Sequence, residues 1–157
     1  MSANKQLVVT DSGDIVDIDT ARIESFSRIL KARAEEYREV ALRSYAQATP
    51  RAESWRAEDT ARDFAAAAEN AVWDDARASL CAELARWITR MVTQADGDFD
   101  KFAELVEGNL IALVGSASRS CWNNNSLNLA YLQAYIQTAE TIRSLLSTVA
   151  SDTYPED

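Results

Sequence analysis

The chain has 157 residues, the length of one domain with a buried core. It contains no His, 4 Gly, 2 Pro and 2 Cys, and its 16 basic and 25 acidic residues give a net charge of −9. Without His there is no imidazole base and no His-ligated haem or zinc. The scarcity of Gly and Pro favours helices, and the acidity argues against a nucleic-acid surface. No segment resembles a signal peptide or a membrane span, so we expect a cytoplasmic protein.

The chain divides into an arm, a helical domain and a tail. Residues 1–18 are expected to form an N-terminal arm or a short hairpin, because Asp11 to Asp14 resembles a turn between two apolar segments. Residues 19–150 are expected to form a single helical domain of five or so helices, and residues 151–157 a flexible tail.

The first helix is predicted from Asp19 or Thr20, as N-cap, to about Gln47. Thr49 and Pro50 then predict that this helix ends and that another begins, with Thr49 as its N-cap and Pro50 at its first position. Apolar residues recur along the first helix at steps of three and four, which places them on one face: Ile23, Phe26, Leu30, Ala34, Tyr37 and Ala41.

The next helical stretch is expected to break near Asn70 and to end at residues 96–98. Its apolar stripe comprises Val72, Trp73, Ala76, Leu80, Leu84, Trp87, Ile88, Met91 and Val92. Asp98 or Asp100 is predicted to cap a third helix, residues 115–125 to form a loop, and Ser126 to cap the last helix. We interpret the acidic residues around Asp98 as helix capping, and predict no metal site.

Cys81 lies one residue past Leu80, beside the stripe, with Arg77 one helical turn before it. A thiol at the edge of a buried face, next to a cation, could hold an acidic planar molecule. The alternative is a small buried core residue, which is what most free Cys residues are.

This segment resembles the chromophore-binding helix of phycobiliproteins, the allophycocyanin and phycocyanin subunits. Cys81 is followed nine residues later by the sequence Arg-Met-Val-Thr, which begins at Arg90. Trp87 stands six residues after Cys81 and Trp73 eight residues before it, where that family usually has aromatic residues. The likeness extends upstream to the turn around Gly13.

The resemblance implies a globin-like, all-α fold that holds a bilin of the phycocyanobilin or biliverdin type. It also implies an oligomer with the same or a related subunit. Cys81 would then be the attachment point, Arg77 and Arg86 the propionate partners, and Trp73 and Trp87, with Trp122, the pocket walls. Where the family has Arg and Asp after its Cys, this chain has Glu83 and Leu84, so Glu83 is a partial substitute. Asp74 or Asp75 could supply the missing carboxylate.

Two other functions are compatible with the sequence. One is a chromophore-free, globin-like regulatory or scaffold protein with Cys81 in its core. The other is an unrelated acidic helical protein that binds a basic protein partner. No nucleophile–base pair, phosphate loop or metal cluster is present, so we do not expect an enzyme.

Overall fold

Helices account for almost all of the structure. The computed structural model describes residues 6–9, 13–48, 59–121 and 126–151. Two short strands come first, β1 (Leu7–Val9) and β2 (Ile15–Asp17). The helices that follow are α1 (Ile18–Ala48), α2 (Asp59–Ala95), α3 (Phe99–Ser120) and α4 (Ser126–Ser151). The predicted all-α class is confirmed, with four helices in the described part of the chain instead of five or so.

The N-terminal strands form an antiparallel hairpin in which Val8 pairs with Val16. Val8 is buried against the helices, whereas Leu7 and Val9, on the other face, are exposed. The hairpin was one of the two forms expected for this segment. It leads directly into α1.

The start of α1 differs from the prediction. The Asp17 carboxylate accepts hydrogen bonds from the backbone N–H and the hydroxyl of Thr20, at 3.0 and 2.9 Å. Asp17 therefore caps the helix, and the prediction of Asp19 or Thr20 is wrong. Both of those residues lie within the first turn, where the Asp19 carboxylate forms an ion pair with Arg22 at 3.6 Å.

The expected break near Asn70 is also wrong, because α2 is continuous from Asp59 to Ala95. Asn costs only a few tenths of a kcal/mol more than average in a helix, and the Ala-rich residues before it favour the helix. The predicted stop at Thr49 and Pro50 lies outside the described residues, and α1 ends at Ala48.

A tight turn joins α2 to α3. Asp96 and Gly97 have positive φ angles of 54° and 76°, and the Asp98 carboxylate accepts the backbone N–H of Lys101 at 3.0 Å. The predicted end of α2 and the Asp98 cap are therefore confirmed. The predicted loop from residue 115 is wrong as far as Ser120, because α3 continues through it. Residues 122–125 lie outside the described part.

Successive helices run in alternating directions. Ser44, near the end of α1, contacts Asp74 of α2, and Glu107 of α3 forms a bidentate ion pair with Arg143 of α4. Helices α2 and α4 lie side by side, with Tyr131 hydrogen-bonded to Ser79. No helix in the described part of the chain is long and apolar enough to cross a membrane.

The core is built around α2, which contacts each of the other three helices. Its fully buried residues include Leu80, Leu84 and Ile88, and Phe26 of α1 meets Phe102 of α3 edge to face at 5.5 Å. The predicted apolar face of α1 is buried at Ile23, Phe26, Leu30 and Ala41, with Ala34 and Tyr37 partly buried.

The central position of α2 predicts different costs for the same substitution at two sites. Leu84→Ala should lower the free energy of unfolding by about 2–5 kcal/mol, because Leu84 is fully buried in the hydrophobic core. Leu42→Ala, at a side chain 61% exposed on α1, should change it by less than about 0.5 kcal/mol. Urea denaturation measures both, and equal effects would contradict this placement of the core.

Candidate functional site

Cys81 lies inside the core, not at its edge. Its side chain has no exposed surface, and burial raises the pKa of the thiol to about 11, against a smaller opposing effect of Arg33. The predicted edge position is wrong and the alternative, a small buried core residue, is correct, with Arg33 of α1 and Tyr135 of α4 both within electrostatic range of the thiol. Periodicity locates the stripe but does not show which neighbouring helix covers its margins.

Arg77 and Trp73 are brought together as predicted, with an unpredicted third member. The Arg77 guanidinium lies 5.7 Å from the ring centre of Trp73 and 6.0 Å from that of Tyr37 on α1. These cation–π contacts join α1 to α2 one turn before Cys81. Within the described residues no carboxylate forms an ion pair with Arg77.

Arg86 does not join this group. It follows Arg77 by nine residues, which on an α-helix places it about 180° around the axis. Its guanidinium forms an ion pair with Glu83 at 3.2 Å, and the Arg86 side chain is 68% exposed. The two predicted propionate partners therefore lie on different sides of α2, and Glu83 is engaged with Arg86.

Trp87 is likewise apart from Trp73. It is 41% exposed, and its ring lies 5.6 Å from the guanidinium carbon of Arg90. The two Trp residues are fourteen positions apart, or about 21 Å along the helix axis. Trp122 lies outside the described residues.

Asp74 and Asp75 lie near the middle of α2, about two turns before Cys81. The Asp74 carboxylate accepts a hydrogen bond from the Ser44 hydroxyl, which fastens α1 to α2. Partial burial raises the pKa of Asp75. Asp75 and Asp74 precede Cys81 by six and seven positions, about 9 and 10 Å along the helix axis.

A cluster of tyrosines near Asp75 was not found from the sequence. Tyr131 stacks on Tyr135 with ring centres 5.5 Å apart, and Tyr45 of α1 lies within electrostatic range of Asp75. Burial raises the pKa of Tyr135 to about 12. The four-residue spacing of Tyr131 and Tyr135 could have predicted that their rings meet on one face of α4. Stacked, partly buried rings with one hydroxyl bonded to Ser79 are typical of packing between helices.

A second unpredicted feature is a neutral segment, residues 108–139. Of the chain's 16 basic and 25 acidic residues, it contains only Arg119. It covers the second half of α3 and the first half of α4, and the large apolar side chains that it exposes, among those the structure describes, are Ile111, Leu127, Leu129 and Ile136. The absence of charge is visible in the sequence alone and was the signal for this surface.

The acidic residues around Asp98 serve the helix ends. Asp98 caps α3 and Asp100 lies in its first turn, where a negative charge interacts favourably with the helix dipole. In the described ranges no three acidic or Cys side chains are grouped so that they could hold a metal ion.

The buried thiol predicts a loss of stability at alkaline pH. The pKa of Cys81 rises from 9.0 to about 11, so the folded chain keeps a proton that the unfolded chain loses. This contribution is complete below about pH 9 and is lost as the pH rises towards 11. In Cys81→Ala, the decrease in unfolding free energy over that interval should be smaller by about 2 kcal/mol. Urea denaturation at both ends of the interval measures it; identical decreases in the two proteins would show that Cys81 is not buried.

Comparisons with protein-family models, with curated proteins and with solved structures find no significant match. The resemblance to phycobiliproteins therefore depends on the residues quoted above, and it stays a prediction.

Proposed function

We propose that this chain is a chromophore-free helical protein of the scaffold or regulatory class, which acts by binding another protein noncovalently. The observation that carries the proposal is the complete burial of Cys81 in the core. A thioether to a bilin would require the helices packed around this residue to separate.

The scattered positions of the predicted bilin ligands support the same proposal. Arg77 is held between two rings, and Arg86 is paired with Glu83 on another side of α2. Two propionates of one molecule need cations that converge. Here the cations diverge, and each has a partner within the protein.

The exposed apolar residues of the neutral segment support a protein partner. Ile111 is 60% exposed and Leu129 is 49% exposed, in a chain with a net charge of −9. A surface that exposes apolar side chains and carries almost no charge is typical of protein–protein contacts.

The bilin protein remains a competing proposal, and the globin-like arrangement of the phycobiliprotein type belongs to it. Its support is the sequence likeness around Cys81 and the meeting of Arg77 with Trp73. The basic-partner proposal is supported by the net charge of −9 and predicts binding that weakens with salt.

Producing the chain in cells that also make biliverdin or phycocyanobilin separates these proposals. We expect a colourless protein with no zinc-dependent fluorescence on a denaturing gel, because the Cys81 thiol is inaccessible. Cys81→Ala should then have the same absorbance as the unaltered chain. A coloured adduct that Cys81→Ala abolishes and Cys121→Ala retains would overturn the proposal.

Thiol labelling provides a second measurement that needs no bilin. In the folded chain, iodoacetamide should modify the half-buried Cys121 much faster than the fully buried Cys81. In denaturant the two should react at similar rates. Peptide mass spectrometry distinguishes the sites, and rapid labelling of Cys81 in the folded protein would contradict its burial.

A further inference from the structure

The outward face of α3 has an ordered arrangement that nothing within the chain explains. Counted along α3, five residues recur at steps of four, three, four and four, which places them on one side of the helix. They are Glu104, Gly108, Ile111, Gly115 and Arg119. We call this set, with the adjacent Ala112, the α3 outer face.

The two glycines on this face have no role in packing within the chain. A Cβ on Gly108 would meet no atom within 4 Å, and one on Gly115 would meet only Arg119 Nη1, at 3.6 Å. Each glycine inside a helix costs about 1 kcal/mol relative to Ala. Ile111, between them, leaves 60% of its side chain in water. An exposed apolar side chain flanked by glycines suits the close approach of another helix.

The face is also symmetric about the midpoint between Ile111 and Ala112. Gly108 and Gly115 lie at equal distances from it, about 5 Å along the axis on either side, and Glu104 and Arg119 at about 11 Å. In an antiparallel pair of α3 helices related by a two-fold axis at this midpoint, Glu104 of each copy lies opposite the partner copy's Arg119. The glycines then face each other, and Ile111 faces Ala112.

The charges on the α3 outer face favour a second copy of the chain as its partner, with the two α3 helices antiparallel. Glu104 and Arg119 have no ion-pair partner among the described residues. The antiparallel pairing gives both of them a partner, whereas a parallel pairing would place Glu104 against Glu104. A chain with a net charge of −9 repels a second copy over most of its surface. This electrostatic repulsion is smallest at a neutral face that lies between two complementary charges.

We infer that the chain forms a two-fold symmetric homodimer through the α3 outer face, with the two α3 helices antiparallel. The inference rests on the proposed function, since it names a second copy as a binding partner. It does not depend on the state of Cys81, because the Cys81 thiol lies in the core and the α3 outer face lies on the surface.

Charge reversal tests the pairing directly. Sedimentation velocity from about 1 to about 100 µM, the range of moderate affinities, should show a dimer. Glu104→Arg and Arg119→Glu should each raise the dissociation constant about tenfold or more, because each places like charges opposite one another. The double variant should restore dimerisation. Glu36→Arg, the same charge change on exposed α1, is the matched control and should leave the dimer intact.

Gly108→Leu separates the interface from the fold. Open space surrounds a Cβ at this position, so the single chain should keep or raise its thermal stability. The dimer should be lost, because leucine prevents the two helices from approaching closely.

Three results would overturn the inference: a monomer throughout the concentration range, single charge variants that dimerise like the unaltered chain, or a double variant that does not recover. If the chain is a monomer, the partner of the α3 outer face would be a different protein. A coloured bilin adduct would overturn the proposed function but not the dimer, so the two failures are distinguishable.

Discussion

The fold depends on the burial of α2 against three other helices at once. Leu80, Leu84 and Ile88 are fully buried, and each neighbouring helix covers a different side of α2. Burial on several sides stabilises the helix by packing rather than by its own propensity. Among the described side chains this burial begins at Ala71, and across Asn70 the 37-residue helix continues because the Ala-rich residues before it favour a helix by their own propensity.

The same constraint determines the chemistry available to Cys81. A thiol among apolar side chains keeps its proton, and the thiolate is the reactive form. The groups that could have assisted it are used elsewhere: Arg77 joins α1 to α2 through aromatic rings, and Asp74 does so through Ser44. Two of the residues predicted for a pigment site, Arg77 and Asp74, therefore connect α1 to α2, whereas Arg86 and Glu83 pair with each other on α2. The outer surfaces differ in charge: α1 carries both acidic and basic residues, whereas the second half of α3 and the first half of α4 are nearly neutral.

Local signals in the sequence predicted much of the fold. The turn around Gly13, the apolar period of α1 and the Asp98 cap each depend on a few adjacent residues, and the structure contains all three. Two of the errors arose where one unfavourable residue, Asn70 or Gly115, was given more weight than the helix-forming residues around it. Gly115 costs helix stability, and yet α3 continues past it for another five residues.

The candidate site was harder to predict than the fold. Arg77 and Trp73, which were both predicted for one pocket, lie in contact. The same reasoning placed Cys81 at an edge, because a one-dimensional pattern does not show which helices cover the margins of the stripe. The symmetry of the α3 outer face was present in the sequence, but it has meaning only once α3 is known to be a single helix with that side exposed.

The central claim is that Cys81 is completely buried in the core. Native-state hydrogen exchange of the α2 amides from Leu80 to Leu84 tests it most directly. If α1 covers this segment as described, these amides should exchange only through global unfolding, with the same free energy as that from urea denaturation. Exchange through a local opening of much lower free energy, limited to the α1–α2 contact around Cys81, would contradict the account and would allow a ligand to reach the thiol.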